Sequence, residues 1–165
     1  MSEQALFQSG MDLEHGSSTA RTEVYAPAFV SPFDADGTPA DRKDFFIHRD
    51  DKVYAGTHLI IDLWGANHLD DLDLVEETLK KCVDAAGATL LHLHLHHFTP
   101  NGGISGVAVL AESHISIHTW PERDYAALDI FMCGDAKPHE AIEVLRAAFR
   151  PDRIDVGEHL RGRVR

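Results

Sequence analysis

The sequence predicts an α/β (α+β) fold, a two-layer sandwich in which an antiparallel sheet carries two helices on one face. From Thr57 onward several short segments alternate apolar and polar residues at period two, while two others repeat apolar residues at helical spacing. Their order is strand, helix, strands, helix, strand, which suits one sheet backed by a helical layer. A chain of 165 residues can bury one core and is short for two.

Residues 1–52 are rich in Gly, Ser, Asp and Pro without a sustained apolar period, so they read as an irregular N-terminal extension to a domain spanning 53–165. Ala5-Leu6-Phe7 and Ala28-Phe29-Val30 are short apolar pieces able to dock on that domain, and Phe45-Phe46-Ile47 reads as an anchoring cluster. A mobile tail is the other reading. His58 to Trp64 is the first strand, broken by Gly65-Ala66-Asn67. Leu72, Val75, Leu79, Val83 and Ala86 then mark a helix, with Asp73 and Glu76 as its N-terminal cap and Gly87 as its stop. Cys82 falls near the apolar stripe as a small core residue.

Ala88 to Phe98 is the second strand, and its alternation puts His92, His94 and His96 on one face. Three imidazoles invite a metal, but no carboxylate that would complete a site is near, and an interface-facing surface is the competing reading. Asn101-Gly102-Gly103 makes a turn. Val107 begins a third strand that runs to Trp120 with an interruption at Glu112-Ser113, and Ala126 to Met132 is the fourth. Asp135-Ala136-Lys137-Pro138 opens the second helix, with Ile142, Leu145 and Phe149 on one side, and Pro151 closes it. Ile154 to His159 is a last short strand, and Arg161 to Arg165 a solvated basic end. One sheet face is left bare by this arrangement, so a homodimer or the extension is expected to cover it.

With 15 basic and 27 acidic residues the formal charge is −12, which disfavours a nucleic-acid partner held through its phosphates. No run approaches the roughly 18 apolar residues of a membrane span, and no basic segment followed by an apolar one stands at the N-terminus, so a cytoplasmic protein is expected. Two cysteines, Cys82 and Cys133, are too few for a disulfide framework.

The chemistry concentrates in Ala111 to Glu122, AESHISIHTWPE, where a carboxylate, a hydroxyl and two imidazoles alternate with Ile115 and Ile117 and Pro121 ends the run. This stretch resembles the processing site of the small prokaryotic pyruvoyl-dependent S-adenosylmethionine decarboxylases. The resemblance covers roughly Gly56 to Gly162 and includes Phe98, Pro100, Gly103-Ile104-Ser105-Gly106, Tyr125-Ala126-Ala127-Leu128-Asp129 and Cys133-Gly134. It implies self-cleavage between Glu112 and Ser113, with Ser113 becoming a pyruvoyl group that forms a Schiff base with substrate. By the same resemblance His118 is the proton acceptor of processing, Ser105 supports it, and Cys133 is the proton donor of turnover. Phe98 stands where the family stacks adenine and Glu122 where it holds the ribose hydroxyls. The cofactor is then pyruvate made from the chain itself, the substrate S-adenosylmethionine, the product the aminopropyl donor for spermidine synthesis, and the assembly a homodimer.

That chemistry is coherent. Removing CO2 from an α-amino acid needs an electron sink, usually pyridoxal phosphate on a lysine. No lysine lies between Lys81 and Lys137, the span holding every candidate residue, and a chain-derived ketone needs none. One departure from the family is that Gly102-Gly103 lengthens the loop between Phe98 and Ser105 by one residue. Spacing adds a constraint of its own: on an unbroken strand Ser113 and His118, five apart, face opposite sides and sit on the order of 16 Å from each other. Either the backbone bends sharply at the cleavage site or His118 serves the Ser113 of a second subunit, and the second is favoured. Two other functions compete: a pyruvoyl-dependent decarboxylase of arginine or ornithine on the same scaffold, and a histidine-rich metal-binding protein.

Overall fold

The computed structural model describes residues 19–24 and 45–164. Among the described residues nine strands and two α-helices follow one another as β1 (Thr19–Val24), β2 (Ile47–Arg49), β3 (Lys52–Tyr54), β4 (Gly56–Trp64), α1 (Leu72–Ala86), β5 (Leu90–His97), β6 (Ile104–Leu110), β7 (Ser113–Trp120), β8 (Tyr125–Met132), α2 (Glu140–Phe149) and β9 (Arg153–Arg161). Seven strands form one sheet in the order β1-β5-β6-β7-β8-β4-β9, every pairing antiparallel, and β2 and β3 form a separate hairpin. The predicted antiparallel sandwich with two helices is the fold observed.

Period-two alternation decides the layers. Leu59, Ile61 and Leu63 of β4, Leu93 and Leu95 of β5, Ile115 and Ile117 of β7 and Leu128 and Ile130 of β8 are buried, and they share one core with Val75, Leu79, Cys82 and Val83 of α1 and Ala141, Leu145 and Phe149 of α2. Residues one step out of phase, among them Ile60, Trp64, Val109 and Trp120, are exposed large apolar groups on the other face. Cys82 is the predicted core residue: it is fully buried, and burial pushes its thiol up to about 12. Among the described residues no helix is long and apolar enough to cross a membrane.

Several boundaries differ from the sequence reading. Helix α1 is capped by Asp71, whose side chain accepts from the Leu74 N–H at 3.0 Å, in place of Asp73 and Glu76, while Gly87 is the predicted stop at φ 67°. Helix α2 starts at Glu140, after turns closed by Glu140 N–H to Lys137 and Ala141 N–H to Pro138. The third strand is in fact two, because Leu110 pairs with Ser113 and the chain reverses through Ala111 and Glu112. The extension is not wholly irregular. Residues 19–24 pair with β5 as an edge strand, and residues 47–49 begin the β2–β3 hairpin. Ala5-Leu6-Phe7 and Ala28-Phe29-Val30 lie outside the described residues.

That hairpin is fastened to the far edge of the sheet. Ala55 N–H donates to the Arg161 carbonyl at 2.8 Å, Val164 N–H to the Val53 carbonyl at 2.8 Å, and Arg49 pairs with Glu158, which also meets His139 at 3.3 Å. Phe45 is therefore not an apolar anchor; it is 62 % exposed and is held by its backbone, its carbonyl accepting the Gly134 N–H at 2.6 Å.

Candidate active site

The two-residue turn between β6 and β7 is tightly specified. Ala111 N–H donates to the Thr89 carbonyl at 3.0 Å, and the Glu112 carboxylate accepts from the Thr89 N–H at 2.8 Å and the Thr89 hydroxyl at 3.3 Å. The Glu112 carbonyl in turn accepts the backbone N–H of Cys133 at 3.0 Å. Immediately after it Ser113 sits at φ 136°, a region that L side chains rarely adopt, that costs of order 1–3 kcal/mol and that persists only where the surroundings impose it.

Strict alternation would send the Ser113 side chain into the core with Ile115 and Ile117. The positive φ breaks that phase. Ser113 lines a cavity of about 260 Å³ together with Phe45, Phe46, Ala55, Phe131 and Cys133, and its side chain favours the Cys133 thiolate. Desolvation pushes that thiol above its ordinary value and the nearby Glu112 carboxylate adds to the rise, opposed by bonds from its own backbone N–H and from Ser113. The net direction is upward, so Cys133 is a protonated thiol at neutral pH and a proton source beside Ser113.

A second group forms toward the other end of the same hairpin. Ser105 Oγ on β6 lies 2.9 Å from His118 Nδ1 on β7, the two residues being direct cross-strand partners. Gly106 brings β6 this close to β5: a Cβ there would meet Leu95 Cδ2 at 2.2 Å and the His94 carbonyl at 2.6 Å. Buried Thr119 ties the region together, its hydroxyl accepting from Ile104 N–H at 2.7 Å and donating to the Leu69 carbonyl at 2.8 Å. Phe98 stands at this end, edge-on to His96 with ring centroids 4.4 Å apart, and closes the loop to β6 through bonds with Gly103 and Gly102 at 2.8 and 2.9 Å. Glu122 is exposed on the 3-10 turn Pro121–Arg123 that follows β7.

Register keeps the two groups apart. Ser113 pairs with Met132 at the start of β7, whereas His118 pairs with Ala127 near its end. Within one chain the structure gathers Ser113, Glu112 and Cys133 in one place and Ser105, His118, Phe98 and Glu122 in another. His58 is 3.2 Å from Asp129 on the bare face between them, and Ser116 donates to the same carboxylate at 3.4 Å. Stacked Trp64, Tyr125 and Trp120 stiffen the His118 end, where the Tyr125 hydroxyl donates to Asp62 at 2.6 Å and is thereby pushed up to about 12. Sequence reasoning missed Thr89, Phe131 and the Cys133 N–H, whose partners are brought near only by strand pairing.

The profile of the S-adenosylmethionine decarboxylase family matches residues 57–162. The chain belongs to the S-adenosylmethionine decarboxylase family. Among its relatives, the S-adenosylmethionine decarboxylase proenzyme of Thermomicrobium roseum is 48 % identical over 110 residues, 66 % of this chain and 95 % of that one. The corresponding proenzyme of Methanococcus maripaludis strain C7 is 48 % identical over 110 residues, 65 % of this chain and 89 % of the relative. The crystal structure of adenosylmethionine decarboxylase from Aquifex aeolicus superposes with a TM-score of 0.63 at 38 % identity, covering 68 % of this chain and 94 % of that one.

These matches lend no support to an arginine or ornithine decarboxylase. Nor does the histidine strand redirect the S-adenosylmethionine decarboxylase assignment: among the described residues no group of three or more His, Cys, Asp or Glu side chains is placed to hold a metal ion. Phe45 and Phe46, which line the Ser113 cavity, precede the span that matches the family.

Proposed function

We propose that this chain cleaves itself between Glu112 and Ser113 and that the resulting pyruvoyl enzyme, a carboxy-lyase, decarboxylates S-adenosylmethionine to the aminopropyl donor for spermidine synthesis. The observation that carries the reading is the Ser113 peptide: a strained serine, a carbonyl already held by the Cys133 N–H, and a thiol in the same cavity. Ser113 Oγ adds to the Glu112 carbonyl, whose developing negative charge the Cys133 N–H receives. Collapse expels the Ser113 nitrogen and leaves an ester. Loss of the Ser113 Cα proton to a base then eliminates Glu112 as a carboxylate, and water releases ammonia to leave a keto group.

Ser113 fits a pyruvoyl group because it opens into a cavity that also holds an acid. The group supplies an electron sink for the α-carbon of the substrate when CO2 departs. Cys133, kept protonated by its surroundings, returns the proton to that carbon. His118, held by Ser105, is the proton acceptor of processing. Phe98 and Glu122 take the adenine and ribose of the substrate.

The two groups of residues are brought together by a second copy. Exposed Ile60, Trp64, Val109 and Trp120 on the bare face favour a homodimer, and in it the Ser105–His118 pair of one protomer serves the Ser113 cavity of the other. Two free cysteines suit a cytoplasmic enzyme. Intact mass of the purified protein, followed by assay with S-adenosylmethionine, tests the reading. Two fragments, the smaller beginning with pyruvoyl, are expected, and Ser113→Ala should remain one chain without activity. An uncleaved but active Ser113→Ala protein would overturn the proposal.

A further inference from the structure

We propose that Phe45 and Phe46 form a wall of the Ser113–Cys133 cavity whose task is to keep bulk water from the Cys133 thiol, so that Cys133 is the proton source at the reacting carbon. They are positioning residues acting through Cys133, and the inference rests on the decarboxylase reading above.

Four observations carry it. Phe45, Phe46 and Phe131 are the aromatic residues lining the cavity that Ser113 and Cys133 share. The segment is fixed at the residue next to Cys133: the Phe45 carbonyl accepts the Gly134 N–H at 2.6 Å, and a Cβ on Gly134 would stand 3.7 Å from the Phe45 ring and 3.9 Å from its Cβ. Core burial does not account for two adjacent phenylalanines here, since Phe45 is 62 % and Phe46 38 % exposed. Finally, the two rings lie outside the span matching the family, so the matched domain is supplemented at its reactive end by the extension. The β2–β3 hairpin that follows, fastened to β9 through Arg49 and Glu158, holds the wall in place.

The chemical need is specific. When the electrons left by CO2 take a proton at the substrate carbon, the amine product leaves and the keto group is restored. When water delivers the proton to the keto-derived carbon, hydrolysis releases an aldehyde and leaves alanine at the head of the smaller chain. A thiol partly shielded from bulk water favours the first outcome, and desolvation is the leading cause of the upward displacement at Cys133, which is half-buried.

Alkylation of the native protein with iodoacetamide at pH 8, mapped by mass spectrometry, tests the wall without relying on turnover. Cys82, fully buried in the core, is the internal control for global unfolding. The double variant Phe45→Ser/Phe46→Ser should label at Cys133 about tenfold faster than wild type, the rise in thiolate fraction that a fall of about one unit in thiol pKa gives at pH 8. Cys82 should stay unlabelled, and Phe45→Leu/Phe46→Leu should restore the slow rate. Prolonged turnover of the serine variant should also raise the alanine fraction at the smaller chain. If the double variant exposes Cys82 as well, Phe46→Ser alone carries the same test. Unchanged Cys133 labelling in a folded serine variant overturns the wall. A wild-type chain that neither cleaves nor decarboxylates overturns the decarboxylase reading and this inference with it, and the same spectra report which has happened.

Discussion

The backbone N–H of Cys133 reaches the carbonyl oxygen of Glu112 across 3.0 Å, joining the residue after β8 to the turn between β6 and β7. The donor is main chain, so the Cys133 side chain can be removed without losing it. Cys133→Ala is therefore expected to self-cleave to near completion while turnover falls by about 10²–10⁴-fold and alanine accumulates at the smaller chain. Mass spectrometry after prolonged turnover, with thermal melts of both proteins, separates this from a merely structural cysteine, which would impair cleavage and turnover together.

Thr89 should matter to processing although it touches no reacting atom. Its N–H and hydroxyl grip the Glu112 carboxylate, and net bonds to a charged group are worth about 1.5–3 kcal/mol. Glu112→Ala releases the turn from Thr89 and should slow cleavage by about tenfold or more, read as the fragment-to-intact ratio over time. Cleavage at the wild-type rate would show that the grip is incidental.

A mixed dimer decides between cis and trans action. Chains carrying Ser113→Ala have an intact Ser105–His118 pair, and chains carrying His118→Ala have an intact Ser113 turn. Co-assembled, the His118→Ala chain should cleave if the pair acts on a neighbour's serine. No cleavage would confine the chemistry to one protomer.

The pH profile of turnover follows from the direction at Cys133. A raised thiol pKa keeps the acid form present below the displaced value and loses it as pH rises through that value. Turnover should therefore hold through the ordinary thiol range near 8.5 and decline only above it. In Phe45→Ser/Phe46→Ser the decline should begin at lower pH.

Glu158 titrates in the opposite sense. Arg49 holds its carboxylate below the ordinary range, with His139 adding a smaller effect. The stability it contributes is present above its unfolded value of about 4.3 and is lost as pH falls through the lower folded value. Melts of wild type and Glu158→Gln should differ slightly at pH 7, within the roughly 0.2–1 kcal/mol of an exposed ion pair, and converge near pH 3.

What the sequence disclosed and what it hid divide along local versus non-local information. The compact apolar run His58–Trp64, the strand segment Ala126–Met132 and the helical stripe from Leu72 to Ala86 are local, and they led directly to the sheet and its backing helices. The reversal at Ala111-Glu112 was hidden because apolar alternation runs on both sides of a dipeptide without the Gly or Asn that marks tight hairpins. Edge strand Thr19–Val24 carries charged and polar residues, as edges often do, which dilutes its strand signal. The site was legible as a set of residue types but not as two groups. Five residues of spacing said that Ser113 and His118 could not meet on a straight strand, yet only the register placed Cys133 with the one and Ser105 with the other.

The strand order has a kinetic consequence. Cutting after Glu112 would leave β4 in the larger fragment, although its neighbours β8 and β9 belong to the smaller one, while β6 and β7 face each other across the cut. An intact chain forms those ladders by closing loops on itself, a first-order event whose cost grows slowly with length. Once cut, the same ladders require two molecules to find each other. Refolding of the mature protein from denaturant should slow on dilution and fail at low concentration, whereas Ser113→Ala chains should regain each protomer at a rate independent of concentration. Maturation would thus turn a reversible folding reaction into a one-way assembly, in which the native state persists mainly because its two fragments are slow to part.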